Sequence, residues 1–479
     1  MNSGQGPVGA AGTRTSELKR GAVGLWEGVF QSFSFVGPAG DVAILLVGTA
    51  AFALGATPLA VLIAWLIYLL WMVVPNEFSS RIVNAGSYYA YSARGLGGSA
   101  GVLAVWFWMG ENLTGPAFSV LGLSGFIFLL SSTLSHMVWV WVVVAVLTLG
   151  FGSIFAYFGI RPSLAFTKWA GFAEVVFLVI SAIIIVIMVG PHNSIAPFTL
   201  GPLHGALNPL FLGVVFSVLD FTGLGTATTI SEETRQSKKL IRRAILIAWA
   251  LAGVALVLPS YALTVGWGVN AMKTYASSPD PGLIVYQHYL GNVGWLLLVI
   301  FTITSYANYT IAKVTAVTRI WYSAGRDGVI FKRFAKIDPQ FKVPRQLIVL
   351  FFVTILVVDL VAGFILGPTT AGLWLLTIGG INIIAVHIVA NTALTVYMAR
   401  EKGSFRIFLH GIVPSVATII GAVVIWYSAV PLPAPPFGAA VITSLAWLVV
   451  GFGIAWYYAK KHPDLMLQAG LSRDADATA

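Results

Sequence analysis

The sequence predicts an all-α polytopic membrane protein of about twelve transmembrane helices. Three observations carry that expectation. Of 479 residues, 58% are hydrophobic and only 9% charged, too little polar surface to cover a water-soluble globule of this size. The apolar residues fall into long runs, many of roughly 20 residues or more, about what is needed to cross a ~30 Å hydrocarbon core. Those runs are continuous and not alternating, which reads as helices and excludes a barrel.

The spans are expected at 22–50, 56–76, 98–131, 137–158, 163–190, 206–231, 241–266, 292–324, 346–366, 371–399, 407–430 and 438–459. Charge orients them. With the N-terminus placed in the cytoplasm, 25 of the 27 Lys and Arg fall at inward-facing segments, from Arg14, Lys19 and Arg20 to Lys402, Lys460, Lys461 and Arg473. Only Lys273 lies in an outward loop and only Lys313 stands away from the ends of a span, so both termini are expected to be cytoplasmic. The net charge of +10 is then topogenic, with attraction to anionic lipid headgroups as a second effect, and calls for no nucleic acid. With no cysteine, disulfides, thiolate chemistry and cysteine metal sites are excluded. The first 20 residues lack an apolar core and read as a flexible segment without a cleavable signal. The tail from about His462 is polar, and no loop is long enough for a separate soluble domain.

The first span is interrupted. In "FSFVGPAGDVAIL", residues 33–45, Gly37, Pro38, Ala39 and Gly40 stand halfway along it, where freed backbone groups find no partner in lipid. A plain kink packed on a neighbour would accommodate one such site. A second interruption, "DFTGLGTATT" at 220–229, lies in the sixth span with Gly223 and Gly225. Paired glycine-broken helices at matching places in two halves point to an inverted-repeat transporter with its site at the midplane. A half-helix beginning at a break offers N–H groups to a carboxylate, and one ending there offers carbonyls to an ammonium group. The zwitterionic head of an amino acid suits both ends.

Three further stretches carry a resemblance. "GSYYAYSARGLGGSAGVLAVWFWMGENL" (86–113), "FTGLGTATTISEETRQSKKLIRRAI" (221–245) and "TRIWYSAGRDGVIFKRFAKIDPQFKVPRQLI" (318–348) resemble, in turn, the entry to the third helix, the broken sixth helix and the helix 8–9 connection of the amino acid-polyamine-organocation superfamily of permeases. The last is the most specific. The resemblance spans nearly the whole chain and includes an N-T-A-L run at Asn391. It implies a leucine-transporter-like core, 21–400, of two inverted repeats of five helices (21–190 and 205–400), with discontinuous helices 1 and 6. Two additional helices (406–460) and a cytoplasmic tail (461–479) follow. It also implies a secondary transporter of amino acids or related amines in the cell membrane, working by alternating access with proton symport. The alternatives are an exchanger or uniporter and, from another class, a sensor or channel on the same fold. No cofactor is implied.

The resemblance carries over a substrate site. Gly37, Pro38, Ala39 and Gly40 match the unwound first helix. Phe221, Thr222 and Gly223 match the unwound sixth, and Leu219 stands near a position where many members keep a bulky gating aromatic. That leucine disfavours a cation–π contact with the substrate. Intramembrane ionisable groups are expensive unless paired or functional. Asp41 admits two roles, as N-cap of the second half-helix or as countercharge to an amine, and Asp220 admits the same two. Glu111 matches an acidic position seen in part of the superfamily. Proton-coupled members often carry a lysine midway along the fifth helix, and here the matching position is Glu174 in "GFAEVVF". With Lys313 on the eighth helix, this suggests an exchange of charges in which Glu174 and Lys313 meet and protonation of the pair drives opening. A static pair is the plainer alternative.

The remaining polar groups are weaker signals. Lys168 is expected to snorkel. Tyr306, Tyr309 and Lys313 share helical spacing, as do His387 and Asn391, and Asn382 could join them. Glu232 and Glu233 in "SEET" are candidates for an inner gate with Arg81, Arg94 or Arg326. Zinc, phosphate-loop and serine-elbow signatures are absent, so no enzyme is expected.

Overall fold

The computed structural model describes residues 17–471 apart from 136 and 402. Arg14, Lys402 and Arg473, most of the N-terminal segment and the end of the tail lie outside the described residues. The described residues are predominantly helical. Its helices are α1 (Leu25–Phe33), α2 (Pro38–Gly40), α3 (Leu46–Ala53), α4 (Thr57–Ser79), α5 (Tyr88–Leu96), α6 (Gly98–Leu130) and α7 (Ser132–Ser135). These are followed by α8 (Val138–Tyr157), α9 (Ile160–Val189), α10 (Leu207–Asp220), α11 (Ser237–Trp267), α12 (Met272–Ser277) and α13 (Pro281–Arg326). The last five are α14 (Arg345–Leu366), α15 (Pro368–Arg400), α16 (Val413–Ala429), α17 (Phe437–Lys461) and α18 (Pro463–Gln468). Among the described residues the one β-type contact is an isolated bridge between Val23 and Thr234.

Among the described residues, ten stretches are long and apolar enough to cross a bilayer, and the protein is a multi-pass membrane protein. The first of them, Leu25–Ser79, runs 55 residues and covers two expected spans, 22–50 and 56–76. It turns back at Leu54–Ala56, where Leu54 adopts φ 45°. The expected span at 206–231 is divided. The 14-residue α10 ends at Asp220, and a tight 3-10 segment takes over at Thr226–Glu233.

The break in the first span falls where the sequence places it. Gly37 is left-handed (φ 72°, ψ 49°), Pro38 starts the next helical piece, and Asp41–Leu45 forms one widened π turn before α3. Only glycine takes that backbone cheaply, and proline at the first helical position lacks an N–H that would be orphaned anyway.

Two apolar clusters make the core. One gathers α1, α3, α4, α9, α10 and α11 around Phe33, Trp71 and Ile245, and the other gathers α5, α6, α8, α14 and α15 around Tyr89, Phe351 and Leu394. Phe35, Ala312 and Ala316 form a separate small cluster, and polar residues collect beside them.

Two tryptophan pairs tie helices together. Trp65 and Trp249 each donate the indole N–H to the other's carbonyl at 2.9 Å, with rings stacked 4.4 Å apart. Trp106 and Trp447 repeat the arrangement at 3.0 Å, with rings 4.3 Å apart. The first pair joins α4 to α11 and the second α6 to α17. Each satisfies two donors inside a low-dielectric medium, which is how Trp is best accommodated there.

Candidate functional site

The two broken helices lie side by side. The Ala227 N–H, just past the second break, donates to Ser32 Oγ at 2.9 Å, and Thr49 and Ser217 share a hydrogen bond of 2.7 Å. At the second break Gly223 has φ 96°, and its N–H donates to the Tyr68 hydroxyl at 3.0 Å. Thr222 Oγ1 returns to the Leu219 carbonyl at 2.8 Å, and Phe221 is fully buried.

A small cavity sits against these breaks. Phe35, Thr222, Gly223, Gly225 and Thr226 form one wall. Trp108 and Glu111 of α6, Lys313 of α13, and Ile383 and His387 of α15 form the other, with Tyr68 and Tyr88 alongside. The walls leave about 10 Å³ for a water-sized sphere, close to one molecule's worth. His387 is stacked on Trp71 at 5.1 Å and meets Tyr88 edge-on at 5.1 Å.

The N–H groups expected to be free at the first break are all engaged. Pro38 has none. The Ala39 N–H donates to Glu174 Oε1 at 2.8 Å, while those of Gly40 and Asp41 both donate to the Gly37 carbonyl, at 2.9 and 3.3 Å. Ser305 Oγ donates to the same Glu174 oxygen at 2.7 Å. A carboxylate does sit at this break, and it is the protein's own.

This corrects the expected Glu174–Lys313 contact. Lys313 instead forms an ion pair with Glu111, and its ammonium lies 4.3 Å from the Phe35 ring centroid and 5.0 Å from that of Tyr309. The register explains the difference. Ser305, which meets Glu174, precedes Lys313 by eight residues, about 12 Å along a helix axis at 1.5 Å per residue. Both groups are buried, and each meets its own partner at a different level of the bundle.

Other expected roles divide. Asp41 is not a cap. It follows α2 inside continuous helical backbone, and the cap position belongs to Gly37. Asp41 and Asp220 are both buried, and in each the Oδ2 atom has no hydrogen-bond partner among the described residues. Leu219 lines a second, apolar cavity of about 390 Å³ with Phe216 and Gly380, apart from the polar one. Tyr306 packs on Gly40, where an added Cβ would come within 3.2 Å of its ring. Asn382 donates to its own helix at Ile378, and the side chain of Asn391 has no hydrogen-bond partner among the described residues. Lys168 pairs with Glu27 at 2.7 Å rather than only snorkelling.

At one end of the bundle the acidic residues of "SEET" find arginines. Glu232 takes a two-pronged contact from Arg326 at 3.0 and 3.1 Å and also accepts the Ala85 N–H at 3.0 Å. Glu233 takes another from Arg319 at 3.1 and 3.3 Å, with both partners essentially unexposed. Arg81 goes elsewhere, to Glu77 and Glu401, and Arg94 donates to the Gly470 carbonyl. Arg319 escaped sequence reasoning, although it stands seven residues before Arg326, two turns away on one helix face. Ser305, Tyr68, Phe35 and Trp108 escaped it too, because hydroxyl and aromatic residues give no signal of their own within an apolar span.

A family model described as amino acid permease matches residues 28–468. The putrescine importer PlaP of Escherichia coli K12, described as low-affinity, is 23% identical over 62% of this chain and 65% of its own length. The chain thus matches just under two thirds of that relative. The methylthioribose transporter of Bacillus subtilis is 25% identical over 81% of this chain and 82% of its own. Cationic amino acid transporter 4 of Mus musculus is 26% identical over 64% of this chain and 50% of its own.

Proposed function

Since this chain belongs to the amino acid permease family, we propose that it is a secondary transporter of amino acids or related amines, with its substrate site between the two broken helices. The observation that carries this reading is Glu174. One buried carboxylate oxygen on α9 accepts both the Ala39 N–H at the first break and the Ser305 hydroxyl on α13.

A carboxylate in this position couples two events. Ionised, it is a strong acceptor for both donors and holds the break against α9 and α13. Protonated, it becomes a weaker acceptor and gains a donor of its own, which loosens the hold. A proton arriving at Glu174 would therefore free the Ala39 N–H for a substrate carboxylate, while the carbonyls where α10 ends receive the amine. Asp41 and Asp220, each with an unpartnered oxygen, supply further negative charge beside the amine. Alternating access would then be rocking of one five-helix repeat against the other, with the Arg326–Glu232 and Arg319–Glu233 pairs closing the cytoplasmic side. In this reading both termini are cytoplasmic and the protein works in the cell membrane.

The test is uptake into proteoliposomes of a labelled panel of leucine, glutamine, lysine and putrescine, with proton, sodium and counter-substrate gradients imposed separately. Saturable uptake driven by an inward proton gradient, and lost in Glu174→Gln with substrate binding retained, is the expected result. Uptake indifferent to every gradient and unchanged in the variant would remove Glu174 from the coupling. Uptake driven only by counter-substrate would make the protein an exchanger.

A further inference from the structure

The surroundings of Lys313 have the chemistry of a binding site for an organic cation. A carboxylate, Glu111, and two aromatic faces, Phe35 and Tyr309, converge on one ammonium group. A carboxylate supplies charge and an aromatic face supplies its quadrupole, and the two together are how proteins recognise substrate ammonium groups. Here the group they hold is tethered to the chain. Lys313 also lines the polar cavity, beside Trp108, Thr226 and Ile383.

We propose that Lys313 is a specificity residue that occupies the cation subsite of its own substrate cavity, so that the protein takes amino acids with uncharged side chains and rejects those with cationic ones. The inference rests on the transport reading above and names the substrate class of that site. A substrate ammonium or guanidinium entering beside Glu111 would have to displace Lys313 and leave a second positive charge buried without a partner. That is a repulsive element of the kind by which sites exclude close competitors. An uncharged side chain meets a neutral ion pair instead. Glu111 Oε2, which has no hydrogen-bond partner among the described residues, remains available to a polar hydrogen. Lys313, buried within a span, thereby acquires a role that neither a static pair nor a proton relay with Glu174 gives it.

The experiment measures thermal stabilisation of the detergent-purified full chain by putrescine, lysine and leucine, in wild type, Lys313→Ala, Lys313→Arg and the double variant Glu111→Gln with Lys313→Ala. Removing the tether should open the subsite. Lysine or putrescine should stabilise Lys313→Ala at concentrations lower by about tenfold or more than any that affect wild type, the order of one charge-assisted contact. The Arg and double variants should show no such gain, since one refills the subsite and the other removes its charge. No gain in Lys313→Ala, or an equal gain in the double variant, overturns the proposal. Should Lys313→Ala fail to fold, competition of leucine uptake in wild type decides: lysine or putrescine competing as well as leucine overturns it, and failing to compete supports it. Because stabilisation is read without transport, a preparation that moves no amino acid would sink the permease reading while leaving the cation subsite to stand or fall by itself.

Discussion

Glu174 and Ala39 are joined by a 2.8 Å hydrogen bond from a backbone N–H to a buried carboxylate oxygen, across two helices 135 residues apart in sequence. This bond closes the first-helix break against α9. Glu174→Ala leaves the Ala39 N–H without an acceptor in a dry environment and should cost about 1–3 kcal/mol of stability. Glu174→Gln keeps an acceptor oxygen and should cost clearly less. Thermal unfolding of the two purified variants checks the order, and equal losses would show that the bond is not what holds the break.

Arg319 and Glu233 form the most deeply buried ion pair described, at 3.1 Å with both partners essentially unexposed. Truncating one partner strands the other charge, so Arg319→Ala should lose about 3–5 kcal/mol. Replacing both with apolar residues of similar volume, Arg319→Met with Glu233→Leu, should recover much of that loss. A double variant as unstable as the single one would mean that the pair acts through packing and not through charge.

Gly223 carries φ 96° directly at the second break, and a Cβ there would collide with the Phe35 ring. Gly223→Ala should cost about 1–3 kcal/mol through backbone strain, and displacement of Phe35 should also disturb the wall that Lys313 faces. Circular dichroism melting measures the first effect, and lysine-induced stabilisation measures the second.

Outside the spans, Asp338 caps the turn before α14. It accepts the N–H of Phe341 at 2.8 Å and of Gln340 at 3.0 Å, and Arg345 approaches at 3.3 Å. The Phe341 N–H, with help from Arg345, holds its carboxyl below the usual aspartate value. A depressed folded value means that the contribution is complete above the ordinary aspartate range and is lost as pH falls through the lowered one. Amide exchange at Phe341 and Gln340 should therefore show unchanged protection from neutral pH down to that range and lose it only in stronger acid, whereas Asp338→Ala, which removes the acceptor, should lose protection at every pH.

The sequence located spans well and partners poorly, and one physical distinction explains both. The expected limits 137–158 and 346–366 compare with Val138–Tyr157 and Arg345–Leu366, because where a helix enters and leaves lipid is set by local hydropathy. The breaks at Gly37 and Gly223 were legible for the same local reason, since glycine and proline act on their own backbone. Which charge meets which depends on rotation and relative height of helices far apart in the chain. Glu174 and Lys313 shared a presumed neighbourhood but stand about two helical turns apart in depth, and Glu111 on α6 was the nearer partner. The expectation of a free N–H at Ala39 failed similarly, because the carboxylate that accepts it comes from α9.

The two reciprocal tryptophan pairs have a practical consequence. Stacked indoles at 4.4 and 4.3 Å couple their ultraviolet transitions strongly, and the coupling weakens steeply when the rings part by a few ångströms. Each pair is thus a native optical gauge, one reporting the separation of α4 from α11 and the other that of α6 from α17. Replacing Trp65 or Trp447 with phenylalanine assigns each signal to its pair. Separation of these helices can then be followed spectroscopically without attaching a dye.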